Sequence, residues 1–270
     1  KAYIETDPKN KVNFTDVDAP LSHSRDGCMP IHNIQSAVCD KHKMILCSQT
    51  TATANDRTNL KPMVEQIEAE YGSRPEVARA DSDYFNITDI QELEALGTVC
   101  YCNIPKNAER RTGTDEQGQP IEFTYDAQHD QYTCSQGKPL VRIGYEKKGE
   151  RRAVRYQGTQ CHNCPLKERC TRSAHARTLY RYDDEQWKEQ YIRRMKSPNG
   201  RRQTALRRAN VEHPFGTIKV TMMDRLQLKL RGTYKVHTEV CLYHLAYNFK
   251  RLVNIASFDL IRRMIQEFDF

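Results

Sequence analysis

"IHNIQSAVCDKHKMILCSQTT", residues 31–51, sets two β-prone runs on either side of the polar Asp40-Lys41-His42-Lys43. Such runs around a short charged turn form the pattern of an antiparallel hairpin. Downstream, Leu60, Met63, Val64, Ile67 and Tyr71 recur at helical spacing. Asn55 and Asp56 precede them as caps, and Pro62 falls in the first turns, where a missing N–H is tolerated. "EVARA", residues 76–80, reads as a short strand ending at Asp81. Thr88 and Gln91 make a capping box ahead of Ile90, Leu93 and Leu96, and "TVCYCNI", residues 98–104, supplies another strand. Two strands, a helix, a strand, a helix and a strand predict a mixed α/β sheet.

On the N-terminal side, residues 1–27 are polar and punctuated by Pro and Asp, without sustained periodicity, and read as loop. They begin without methionine and with no compact unit ahead of them, which suggests a chain that starts inside a larger architecture. On the C-terminal side, residues 106–133 read as a linker or flexible insertion. Asp183 to Lys196 are helical in composition, "SPNG" breaks that helix, and another is expected over residues 200–225. "TEVCLYHLAYNFKRL", residues 238–252, has an apolar face that should pack as a helix on the sheet. The expected organisation is residues 1–105, an insertion over 106–182, and a helical part over 183–270.

The chain has 270 residues and 38% hydrophobic content, enough for a sizeable core. No run approaches the roughly 18 to 20 apolar residues of a membrane span, and no secretory signal layout opens the sequence, so a soluble, cytoplasmic protein is expected. Ten cysteines in such a chain read as buried thiols or metal ligands rather than disulfides, with Cys39, Cys47 and Cys241 in the buried class. Residues 151–235 carry 21 Lys+Arg against 7 Asp+Glu, a net +14 within a chain of net +7. Concentrated cationic charge favours a polyanion, because each neutralised phosphate releases counterions; the alternative is a solvated basic surface.

Three constellations could carry chemistry. Cys134, Cys161, Cys164 and Cys170 include one Cys-x2-Cys pair, and four thiolates can close a tetrahedral structural Zn2+ site; packed thiols without metal are the alternative, and His162 and His175 could substitute as ligands. Asp81 stands at a strand end, from which a carboxylate can reach a cleft or simply form a turn. Arg208, Glu212 and Lys219, spaced four and seven apart, fall in one helical stripe. A solvated salt-bridge ladder would look the same, but Val211, Phe215 and Ile218 beside the stripe suggest a carboxylate held against the core. Pro214 predicts a kink or boundary nearby.

These residues resemble those of a DDE transposase from a bacterial insertion sequence, over its C-terminal, catalytic part. "ADSDYF" resembles that family's strand-end motif around its second aspartate. Arg208-x3-Glu212-x6-Lys219 matches the Y-x2-R-x3-E-x6-K signature, with Ala205 at the tyrosine position and Asp83 where glycine is common. "TANDRTNL", the segment "CSQGKPL … CHNCPLKERCT" and the closing "LRGTYKVHTEVCLYHLAYNFKRL" resemble a subgroup with a cysteine-bearing, zinc-ribbon-like insertion.

The resemblance implies a ribonuclease H-like mixed sheet flanked by helices. It also implies phosphoryl transfer, DNA cleavage and strand transfer, with carboxylates holding Mg2+ or Mn2+. Asp81 and Glu212 would be the metal-binding catalytic acids, and Arg201, Arg202, Arg207, Arg208 and Lys219 the DNA contacts. The partners implied are insertion-sequence ends and target DNA, with a homodimer as the assembly and the nucleoid as the location; no membrane partner is expected. The family's first aspartate lies on a first strand upstream of the hairpin, and no residue fits that place. Asp7 resembles a position downstream of it and is no metal ligand. The expectation is therefore an N-terminally truncated fragment with impaired activity. The alternative is a non-enzymatic, zinc-containing DNA-binding protein derived from a transposase.

Overall fold

Every strand near the start of the chain pairs with its immediate neighbour in sequence. The computed structural model describes residues 13–24, 27–51, 55–105, 113–148, 151–223 and 227–267. Asp7 and the first two residues of "TANDRTNL" lie outside them. The chain divides into two units, residues 1–104 with 195–270 and residues 105–194.

In the first unit, β1 (Leu21–Ser24) and β2 (Gly27–Pro30) form a hairpin, and β3 (Asn33–Val38) and β4 (Ile45–Thr51) form another. The second is the hairpin expected from residues 31–51. The first corrects the reading of residues 1–27 as loop: a four-residue strand is too short for an alternating pattern to register. Helix α1 (Leu60–Tyr71) buries Leu60, Met63 and Val64 and closes at Gly72, whose φ of 69° suits glycine. β5 (Val77–Ala80) leads through a 3-10 turn (Ser82–Tyr84) to α2 (Ile87–Ala95), and β6 (Val99–Cys102) lies parallel to β5.

The caps differ from those expected. Asn59 is the α1 N-cap and makes no side-chain cap bond, while Asp56 turns instead to the β3 side chains Asn33 and Gln35. Asn86, not a Thr88–Gln91 box, caps α2 by accepting from the Thr88 N–H. At α2 the Asx side chain just ahead of the first turn wins because its short reach matches the free N–H groups. Nor do the strands join in one ladder: among the described residues, β3–β4 and β5–β6 are separate two-stranded sheets.

After the second unit, α5 (Pro198–Thr217) passes into a π-helical turn (Ile218–Met222), then α6 (Thr233–Ile255) and α7 (Phe258–Glu267) follow. "SPNG" is less a break than a start, since Ser197 caps α5 through the Gly200 N–H and Pro198 occupies the first turn. Pro214 does not end α5; the wider turn begins four residues later. Helix α6 packs on β4 as expected: Tyr247 and Ile218 enclose Ile45, and the Asn248 amide takes both the N–H and the C=O of Ile45, at 2.8 and 2.7 Å. Cys47 is buried, which pushes its thiol up to about 11, and Cys39 is half-buried. Cys241, expected inside, is exposed on α6, with its sulfur 3.5 Å from His237.

The second unit is an antiparallel sheet in the order β11-β10-β9-β8-β7, made of β7 (Phe123–Asp126), β8 (Gln131–Cys134), β9 (Pro139–Lys148), β10 (Arg151–Gly158) and β11 (Thr178–Tyr182). The short helix α3 (Lys167–Cys170) precedes β11, and α4 (Glu185–Lys196) follows it. The sheet curls until its edge strands meet, with the Arg181 guanidinium 3.8 Å from the centre of the Tyr125 ring. Tyr132, Leu140, Tyr156 and Leu179 form its core. Asp130 accepts the Tyr125 and Tyr156 hydroxyls, at 2.8 and 2.5 Å. A linker reaching to residue 133 and an insertion with little core of its own are thus corrected. The aromatic residues of β7 and β8 alternate with polar ones over only four positions each, too short a run to announce a strand.

Gln35 is almost fully buried. Its amide nitrogen donates to Asn33 Oδ1 and Asp56 Oδ1, both at 2.7 Å, and its carbonyl accepts the Tyr84 hydroxyl. Replacing Gln35 with Leu takes the acceptor from the buried Tyr84 phenol and one of two amide donors from Asp56, and should lower the unfolding free energy by about 3 kcal/mol in urea titrations. A loss below about 1 kcal/mol would mean that those groups find other partners.

Candidate active site

Asp81 follows β5 directly, and the backbone N–H of Asp83 caps one of its oxygens at 3.1 Å. Its other oxygen receives the Arg207 guanidinium at 2.9 Å. That arginine arrives on α5, whose sheet-facing stripe is polar. Asn199 donates to the Tyr101 hydroxyl, Gln203 accepts from Arg79, and Thr204 donates to Asn103, at 3.1, 2.6 and 3.1 Å. Spacings of four, five and eight residues keep these groups and Arg207 on one side of the helix.

Between β3 and β5 runs a cleft of about 500 Å3. Consecutive residues of both strands line it, which identifies their ladder edges as its walls. Residues of α1, among them Met63 and Val64, line it together with Val211 and Phe215 of α5. Its polar lining includes Asp40, Asp56, Asp81, Tyr84, Arg207 and Asn210. Burial, and after it the charges of Asp56 and Asp81, push the Tyr84 phenol well above its usual range. Asp40 is held by Arg79 at 3.2 Å and by the Asn210 amide. Two further atoms along the cleft, Asn210 Oδ1 and Ser36 Oγ, are buried without a hydrogen-bond partner.

Glu212 is not part of this lining. Its side chain is 70% exposed and pairs with Arg208, four residues earlier on the same helix, at 3.2 Å. The carboxylate expected beside the core therefore stands in the solvated ladder, because the face of α5 that meets the sheet is the polar one. No hydrogen bond or ion pair joins Asp81 to Glu212; successive arginines engage one acid each. Arg201 and Arg202 are exposed in the first turns of α5, and Lys219 is exposed on the π-helical turn. Among the described residues, no three Cys, His, Asp or Glu side chains stand close enough to share an ion.

In the second unit, Cys134, Cys161, Cys164 and Cys170 line one small pocket of about 30 Å3, beside Ile121, Phe123 and Leu140. Burial raises the Cys170 thiol, Arg177 opposes that, and the other three cysteines add to it. A β-carbon on Gly158 would reach 2.4 Å from Cys161 Sγ, so glycine is what lets that loop close on the strand.

Residues 133–253 match the family model for the transposase DDE domain. The resemblance to DDE transposases is shown by that match. Its span takes in the four cysteines, α5 and nearly all of α6, and leaves Asp81 outside. No curated protein and no solved structure matches the chain. Among the described residues, no helix is long and apolar enough to cross a membrane.

Asp56, Gln35, Tyr84 and Asn210 were not singled out as site residues from sequence. Asp56 was read as a helix cap, and only its position opposite Tyr84 in the folded chain shows that it shares a cleft with Asp81.

Proposed function

We propose that the chain is a transposase-like protein that binds DNA and belongs to the chemistry of DNA strand cleavage and transfer. The observation that carries this reading is the transposase DDE domain match, whose span includes α5, the helix that bears Arg208 and Glu212 and supplies Arg207 to Asp81, and the π-helical turn that bears Lys219.

The cleft supports a ribonuclease H-like sheet completed by a further strand. Two free ladder edges face each other, and helices on both faces would bury a strand laid between them. The orphaned Asn210 and Ser36 atoms are suited to its backbone groups. That is where the resemblance places a strand bearing the first aspartate, beside Asp81.

The acids do not fit Mg2+ or Mn2+ as they stand, each being engaged by an arginine, and no step of the reaction is derived through a metal. Such an ion would supply nucleophile activation and leaving-group stabilisation to a completed site. Arg201, Arg202, Arg208 and Lys219 are placed to meet DNA phosphates from solvent, while Arg207 acts on Asp81. The separate pairing of Asp81 and Glu212 favours a second reading, a DNA-binding protein without catalysis.

Cleavage of supercoiled DNA in Mn2+ distinguishes the two. If Glu212 takes part, Glu212→Gln should lower nicking at least tenfold; equal nicking by both proteins removes Glu212 from the chemistry, and none by either favours the second reading.

For the cysteines, we propose one structural Zn2+ per chain: four sulfur donors line one pocket, and because they do not stand close enough to share an ion as they are, the loops would have to draw together on it. Because the sheet has its own core, the ion would brace the loops around α3 rather than create the fold. Elemental analysis should find one zinc per chain, lost in Cys161→Ser/Cys164→Ser; protein without metal, its thiols all open to alkylation, would leave packed cysteines.

A further inference from the structure

Strand β9 is longer than the sheet that supports it. β8 pairs with it only at Pro139, Leu140 and Val141, while pairing with β10 continues as far as Lys148↔Arg151. From Arg142 onward, β9 has β10 as its only ladder partner among the described residues, and β11 reaches β10 only from Ala153. The result is a ribbon whose outer β9 edge is free for seven residues, about 24 Å at 3.4 Å per residue.

Such a ribbon is marginal by itself and needs side-chain bracing. Tyr145 provides it, with the Arg152 guanidinium 3.8 Å and the Arg142 guanidinium 4.5 Å from its ring centre. Residues 141–155, "VRIGYEKKGERRAVR", hold six Lys+Arg against two Glu, and Glu146 lies 3.7 Å from Arg155. Tyr145 and Lys147 share one face by strand alternation, and Ile143 stands at the bulge where the β9–β10 register shifts; all three are exposed, as is Arg152.

A basic free edge has an ordinary explanation, since charge on an edge strand discourages edge-to-edge pairing. One or two lysines serve that purpose, and a guarded edge does not also present Ile143 and Tyr145 to solvent. An apolar and aromatic face flanked by cations is instead suited to nucleic acid, with the cations on phosphates and the ring and aliphatic chain against sugars and base edges. A two-stranded ribbon is also of a width that the major groove of duplex DNA admits.

We propose that the β9–β10 ribbon is a DNA-contacting arm, in which Lys147 and Arg152 meet phosphates of duplex DNA and Tyr145 and Ile143 lie against its groove. This deepens the transposase reading and rests on it for the identity of the polyanion. It assigns duplex contact to a part of the second unit outside both the cysteine set and the basic positions of α5.

The test is the salt dependence of duplex binding by the full chain, as wild type, as Lys147→Glu/Arg152→Glu, and as Arg201→Glu/Arg202→Glu. Each lost phosphate contact lowers the slope of log affinity against log salt by about 0.9. The ribbon variant should therefore lose about 2 from the slope and at least tenfold in affinity, with an unchanged circular dichroism spectrum. If that variant does not fold, Lys147→Ala should lose about 1 instead.

A wild-type slope retained by the ribbon variants, while Arg201→Glu/Arg202→Glu weakens binding, overturns the arm and leaves the transposase reading standing. Wild-type protein that binds no duplex overturns both. Tighter binding to an RNA duplex than to the same DNA sequence overturns the assignment of the partner.

Discussion

The first unit depends on one buried amide. β3 and β5 share no ladder, so ordinary sheet hydrogen bonds do not fix the hairpin relative to the strand that ends at Asp81. Gln35 does this instead, joining Asn33 on its own strand, Asp56 ahead of α1 and Tyr84 behind β5. A satisfied polar hub in a low-dielectric interior is directional where apolar packing is not, and losing one member exposes the others to the full cost of burial. The position of Asp81 follows from it. The carboxylate directly follows the parallel β5–β6 pair, and Tyr84, which the hub holds, closes the same turn.

Helix α5 supplies the other half of that geometry by unusual means. Its sheet-facing stripe is built from Asn199, Gln203, Thr204 and Arg207, each with a named partner, rather than from an apolar band. Two consequences follow. The arginine next to Asp81 is a structural component of the helix–sheet contact as well as a local charge. The stripe carrying Arg208 and Glu212 is turned to solvent, where an exposed i,i+4 pair contributes little to stability and is free to exchange partners. The acids are thus divided between neighbouring arginines, and bringing both to one ion would require each to leave its guanidinium.

Much of the first unit was legible because its elements obey the simplest periodicities. The hairpin over residues 31–51, the apolar positions of α1, the run ending at Asp81 and the packing face of α6 all announce themselves through spacing. The caps misled, since Asp56 and Thr88 carry the right chemistry for capping, and only the fold shows that Asp56 has a better partner in Gln35. The second unit was nearly illegible. Its strands β7 and β8 are four residues long, its core sets Tyr132 and Tyr156, whose hydroxyls read as polar, beside Leu140 and Leu179 from distant strands, and Asp130 accepts from a tyrosine within it.

Sequence alone determined which residues are candidates for chemistry: the acids at strand end and helix, the four cysteines, the excess of cations, and the order of motifs that places the chain near the DDE transposases. Those are properties of residue type and spacing, and spacing along a helix or strand is fixed by backbone geometry. Tertiary structure alone decided which of them meet. Arg207 rather than Arg208 reaches Asp81, Asp56 enters the cleft, and Glu212 stays outside. The physical reason is that a helix offers several faces at similar cost, and the choice among them is made by distant partners, the side chains of β5 and β6, that no local pattern contains.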